Sequence, residues 1–419
     1  MRSKSPNPAT TTYAESQSGI LIGSVIYSRS MAGRAWQKCK FLESGENLKP
    51  LVKMRFGREP SSTLAREISA CLQQGRLFYE AAESSSLEIR PLQQFYGMVG
   101  FAKALIIAQS LQSLSTLKHS HGIRDVSAGN SRIEDLRVHV DCAGAFQKFN
   151  DVVAPLTRLC YIDNATNNRI VSLPSTDSSK LYGVELSLRE ILSRIPELES
   201  LYRMTFGEDS NTELILVEQS FQQEEEFRIR VDDDELFISS ESLRSIVNCL
   251  RRKFPFLDQW RLTSAQHGWG KSIIYFRNMG KASIDEFSEP YMSFASGTYE
   301  ERPVPNDNNK LFTIDTGLHP LAGGFSSTMS AVSPINGLHM SEFSYHYLAL
   351  FLLSSLVRYQ PQIWTHAISR STFQEILPDD KALSLIEEFL ALNSTIFPNV
   401  VAAILNPHED AWFQISERV

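Results

Sequence analysis

Apolar positions recur at helical spacing in two early segments of the chain. In the first, Leu64, Ile68, Cys71, Leu72 and Tyr79 share a face behind Ser62 and Thr63, whose hydroxyls can cap a first turn; the pattern predicts a helix over residues 62–84. In the second, Pro91 suits a first helical turn, which leaves its N–H unpaired in any case, and Leu92, Phe95, Tyr96, Val99, Ala102 and Ile106 form the stripe. The short connection predicts an antiparallel pair. Towards the other end, Ser341 can cap a third long helix with Phe343, Tyr347, Leu350, Phe351 and Ser354 on one face, Arg358 in its last turn and Pro361 to stop it. A fourth is expected to open at Asp379 and Asp380, to carry Leu383, Ile386 and Leu390, and to pass after Asn393 into an apolar tail ending near Leu405, interrupted by Pro398.

Between these helical ends the pattern shortens to alternating or β-branched runs, which predict strands over residues 136–140, 213–217, 227–231, 236–239 and 272–276. Two helices, over residues 188–202 and 242–254, are expected to interrupt them, and residues 288–334 read as loop-rich. Residues 1–18, rich in Ser, Thr, Pro and Asn, read as a loose tail. The predicted fold class is α+β: a discontinuous helical bundle, residues 40–125 and 341–405, with an α+β middle domain, residues 132–315, inserted between its halves. One core would then use both chain ends.

Composition changes this picture little. Of 419 residues, 42% are hydrophobic and 21% charged, a globular balance that excludes wholesale disorder, collagen-like repeats and a continuous coiled coil. The formal charge of -7 argues against a protein that coats itself in nucleic acid and leaves room for a local basic groove. Five scattered cysteines with no CxxC pair indicate neither a disulfide framework nor a zinc knuckle, and a reducing cytoplasm is expected. The apolar run over residues 345–357 is too short to span a bilayer, and no membrane segment is expected.

Ala265 to Ser272 satisfies a relaxed phosphate-loop pattern with Ala in place of the first Gly. A phosphate loop needs a helix after it, however, and residues 272–276 read as a strand, so nucleotide binding ranks third among the functional readings. No GxSxG, HExxH, EF-hand or GxGxxG pattern is present. His119 and His121 could share a metal only with distant ligands, and a solvated loop is the plainer reading. The acidic runs at residues 224–226 and 232–235 read as exposed hairpin ends. Arg251, Arg252 and Lys253 form the best local basic cluster for nucleic acid, against the plainer reading of a solvated helix face. No cofactor and no metal is indicated.

The block Arg90-Pro-Leu-Gln-Gln-Phe95-Tyr96 through Lys103-Ala104-Leu105, followed by His121-Gly122, resembles the YaaC-like family of bacterial proteins. The later block, Arg358-Tyr359-Gln-Pro361-Gln-Ile-Trp364, looks like that family's carboxy-terminal signature. The family brings no settled activity. The first block is also similar, more distantly, to the second helix of HEPN domains, small helical bundles among bacterial toxins and antiviral effectors.

That resemblance implies metal-independent RNA cleavage by an Arg and a His, usually at a dimer interface. Arg can hold the scissile phosphate through two donors, and a His titrating near neutrality can carry the proton of the attacking 2′-hydroxyl. The corresponding pair here is Arg358 and His366, with seven residues between them, Pro361 included. Lone structural roles compete: Arg358 can offset the carboxyl end of its helix, Tyr96 and Trp364 can be core, and Lys103 can snorkel from the bundle edge. The expected function is a HEPN-like, RNA-associated effector in stress or antiviral defence, a homo-oligomer with no membrane contact. The rival is a non-catalytic subunit that binds a protein partner.

Overall fold

The computed structural model describes residues 35–116, 120–129, 132–154, 159–162, 169–172, 178–208, 210–219, 225–231, 240–253, 261–268, 271–277, 292–293, 298–300, 313–314, 327–332, 340–368 and 382–406. The expected tail at residues 1–18 and the expected strand at 236–239 lie outside them. The fold is α+β and mostly helical among these residues.

Helices α1 (residues 35–42), α2 (Gly45–Phe56), α3 (Ser62–Glu83) and α4 (Arg90–Ser110) open the chain. Capping of α3 falls to Ser61, one residue before the expected Ser62 and Thr63; its side chain accepts from the Leu64 N–H at 3.2 Å. Pro91 lies in the first turn of α4, as its fixed φ favours. α3 and α4 pack backbone to backbone, because a Cβ on Gly100 would come within 2.9 Å of the Gly75 nitrogen and 3.1 Å of the Cys71 carbonyl.

Short elements follow: β1 (Ile123–Asp125), β2 (Arg137–Val140), α5 (Ala145–Val153), β3 (Leu159–Ile162), β4 (Arg169–Ser172), β5 (Glu185–Ser187), α6 (Leu188–Leu192) and α7 (Glu199–Phe206). The single helix expected over residues 188–202 is therefore broken, since Pro196 removes a donor and opens a 3-10 turn between α6 and α7. β1, β2 and β5 form an antiparallel sheet.

The remaining strands are β6 (Thr212–Gln219), β7 (Glu225–Val231), β8 (Arg261–Gly268), β9 (Lys271–Arg277), β10 (Met292–Ser293), β11 (Thr298–Glu300), β12 (Thr313–Ile314) and β13 (Ser327–Val332); helix α8 (Ser240–Lys253) lies between β7 and β8. They join β3 and β4 in one sheet of order β10-β11-β8-β9-β7-β6-β13-β3-β4-β12, parallel only at β13–β3 and β12–β4. Residues 288–334, expected to be loop-rich, thus contribute four of its strands. Ser272 stands in β9, paired with His267 of β8, so no helix follows the phosphate-loop-like segment and that nucleotide-binding reading loses its physical basis.

Helices α9 (Glu342–Tyr359), α10 (Pro361–Ile368) and α11 (Leu383–Leu405) complete the fold. Ser341 caps α9 as expected, and Pro361 ends it by starting α10. The one-sided stripe expected of α9 is wrong in kind: every residue from Glu342 to Leu356 is buried, because α4, α5, α6 and α10 all pack against it. α11 runs unbroken through Pro398, contrary to the expected interruption, and it opens after Ala382, while Asp379 and Asp380 lie outside the described residues. By length and composition α11 could cross a membrane, yet 78% of its most apolar stretch is buried inside the fold.

A single hydrophobic core joins α2, α3 and α4 to α9, α10 and α11, and takes in α5, α6 and the small sheet. Tyr79, Phe95, Phe101, Phe146, Phe149, Tyr345 and Tyr347 are its large fully enclosed side chains, together with Trp364.

Candidate functional site

Phe95 lies in the second turn of α4 and is fully buried against Tyr347 and Phe351 of α9, with ring centroids 5.7 and 5.8 Å away. One edge of this aromatic group carries cations. The Arg358 guanidinium, in the last turn of α9, stands 5.9 Å from the centre of the Phe95 ring and 4.9 Å from that of Tyr359. Its Nε donates to the Ser354 carbonyl at 3.3 Å. Among the described residues no carboxylate meets Arg358 and neither of its terminal nitrogens has an acceptor.

The ring of His121 packs 5.4 Å from Phe95 and 6.1 Å from Phe351. Its backbone is pinned by the start of α5: the Ala145 N–H donates to the Ser120 carbonyl at 3.0 Å and the Phe146 N–H to the His121 carbonyl at 2.9 Å. Those two donors of the first helical turn would otherwise go unpaired. Gly122 makes the turn possible. Its φ of +76° suits glycine, and its carbonyl accepts from the Gln147 side chain and the Asp141 N–H, both at 2.9 Å. His121 is thus a half-buried side chain on a fixed backbone.

Burial lowers the affinity of His121 for a proton; the Arg358 guanidinium and then the Lys103 ammonium lower it further. Lys103, two turns beyond Phe95 on α4 and half-buried, has no ion-pair or hydrogen-bond partner among the described residues. Arg358 and His121 therefore share one aromatic wall, the Lys103 charge is felt at the imidazole, and among the described residues no acidic group is paired to any of the three. Such a site suits an anion, because partly desolvated cations without counter-charges are costly until one arrives. Arg358 offers a planar fork, the geometry that fits two oxygens of one phosphate.

Other sequence-predicted residues fall elsewhere. His366 is on α10, beyond the Pro361 junction, and its side chain lies outside the described residues. Trp364 is core: it is 1% exposed, and its Nε1 donates to the Glu88 carbonyl at 3.0 Å, fastening α10 to the α3–α4 connection. Tyr96, expected in the apolar stripe, is 38% exposed and packs on Phe78. Arg251 is half-buried near the end of α8, and the side chains of Arg252 and Lys253 lie outside the described residues. His119 also lies outside them, and among the described residues no three His, Cys, Asp or Glu side chains group to hold a metal. Sequence reasoning weighed Lys103 as a snorkelling residue and His121 as a loop residue or metal ligand. The signal that could have joined them to Arg358 is that all three belong to the two short blocks quoted above.

Residues 49–405 match the family model described as YaaC-like Protein. No curated protein and no solved structure matches the chain.

Proposed function

The chain belongs to the YaaC-like family, and on that premise we propose that it is a HEPN-like, RNA-associated effector whose Arg358 site holds a backbone phosphate and cuts RNA without metal. The observation that carries the proposal is that Arg358 and His121 share the Phe95 wall, within reach of the Lys103 charge, with no carboxylate paired to them among the described residues. Helices from both chain ends sharing one core supports the HEPN-like arrangement. RNA supplies both the anion and an internal nucleophile, the 2′-hydroxyl, so cations and one proton acceptor suffice for strand cleavage.

The test is cleavage of a labelled single-stranded RNA in excess EDTA. Arg358→Ala is expected to lower kcat/KM by about 10²-fold or more, the scale of losing a preorganised charge on the transition state. Equal cleavage by wild type and Arg358→Ala, or none by either, would remove the nuclease reading. A second reading, a subunit that binds a protein partner, rests on the exposed apolar side chains of Ile89, Tyr96 and Tyr359, at 46, 38 and 70% exposure. Absence of RNA binding together with a defined self-assembly in sedimentation would favour it.

A further inference from the structure

We propose that His121, rather than His366, is the catalytic base of the Arg358 site. The assignment rests on the RNA reading above and names the proton acceptor within it. Of the histidines whose side chains are described, His139 faces the carboxylates of Glu185 and Asp141, and His346 is fully buried with its Nδ1 3.2 Å from the Asn393 amide. Each is occupied by a structural partner. His121 is half-buried and, unlike the other two, has no hydrogen-bond partner for either ring nitrogen among the described residues.

Its surroundings suit proton acceptance. The groups facing it are Lys103 from α4 and Arg358 from α9, both cationic, with Phe95 and Phe351 against the ring. From the other elements packed here, α5 brings the neutral Gln147. Two acids of the neighbouring strand and turn are engaged elsewhere: Asp125 of β1 accepts from Ser355 and Ser127, and Asp141 faces Arg124 and His139. Among the described residues nothing acidic pairs with the imidazole, and burial and the two cations favour its neutral form, the form a base requires. The Gly122 turn and the α5 amides fix where it stands, so little reorganisation precedes the transfer.

In the step, a ring nitrogen of His121 takes the proton of the 2′-hydroxyl while the 2′-oxygen forms its bond to phosphorus. The bond from phosphorus to the 5′-oxygen breaks; that oxygen leaves with the electron pair and takes a proton from water. The products are a 2′,3′-cyclic phosphate and a 5′-hydroxyl, and the imidazolium returns its proton to solvent. Arg358 and Lys103 offset the charge that builds on the phosphoryl oxygens.

The experiment compares wild type, His121→Gln and His366→Gln in EDTA, measuring cleavage of RNA and binding of the same RNA carrying 2′-O-methyl groups, which cannot be cut. For His121→Gln, cleavage is expected to fall by about 10²- to 10⁴-fold, with binding changed only a few-fold. His366→Gln is expected to cleave as wild type does. For wild type, kcat/KM is expected to rise with pH along a limb whose midpoint lies below the ordinary histidine value of about 6.5. Full cleavage by His121→Gln, cleavage lost only in His366→Gln, or parallel loss of binding and cleavage in His121→Gln would overturn the assignment while the RNA reading stands. Failure of wild type to cleave would overturn both. If His121→Gln proves unfolded by circular dichroism, the wild-type profile decides, and absence of that limb sinks the proposal.

Discussion

Single side chains in the core show how much one hydroxyl can hold. The Tyr79 hydroxyl donates to the Asn393 side-chain oxygen at 2.6 Å, and the Asn393 amide reaches His346 Nδ1 at 3.2 Å, linking α3, α11 and α9 with no route to water. Burial pushes the Tyr79 phenol well above its ordinary range, which favours the protonated, donating form. Tyr79→Phe preserves the ring, which stacks on Phe101 at 5.5 Å, and strands a buried acceptor. The expected loss is about 1–3 kcal/mol, read as a lower urea midpoint at unchanged slope. Sequence periodicity placed Tyr79 on the buried face correctly. That its hydroxyl meets Asn393 is a contact across more than three hundred positions, which no local pattern encodes.

At the scale of elements, helix ends decide more than helix interiors. α11 finishes with carbonyls that have no partner in their own helix, and Arg55 of α2 supplies one: its Nε donates to the Ile404 carbonyl at 3.0 Å and its Nη2 to the Ala403 carbonyl at 2.8 Å. A cation at a helix carboxyl end also opposes the local partial charge. Arg55→Met keeps much of the apolar stem and removes both bonds; it is expected to cost about 1–3 kcal/mol and to speed hydrogen exchange in the last turn of α11 first. The starts of α4 and α9 were legible beforehand, since Pro91 and Ser341 act within a few residues of themselves, whereas the cap of α3 fell one residue earlier than expected and α11 opened after Ala382. The break between α6 and α7 was signalled by Pro196, and an apolar pattern running across it hid the signal.

For the whole molecule, the amino-terminal helices have no independent core. Phe95, Met98 and Phe101 of α4 are fully buried in a cluster that also contains Tyr347, Leu350, Phe389 and Phe397 from the last helices. Removing everything after residue 340 would return those faces to water at roughly 25 cal/mol per Å² of apolar area. The truncated chain is expected to lose helical circular dichroism or to aggregate, and a soluble, helical fragment of residues 40–125 would contradict this. α9, α10 and α11 are thus as much a part of the amino-terminal unit's core as α3 and α4.

By itself the sequence determined what neighbours along the chain decide: the spans of α3, α4 and α9, the strands near residues 213–217, 227–231 and 272–276, and the two blocks that place the chain in its family. Periodicity, capping and proline act over a few residues, and so can be read without a fold. Tertiary structure decided the rest. It enclosed α9 on every side, left Tyr96 half in water, carried α11 through Pro398, and brought His121 and Arg358 to one wall. Those outcomes depend on which faces meet, and here they meet because glycines let α3 and α4 close up while the core of α4 is completed by helices from the far end of the chain.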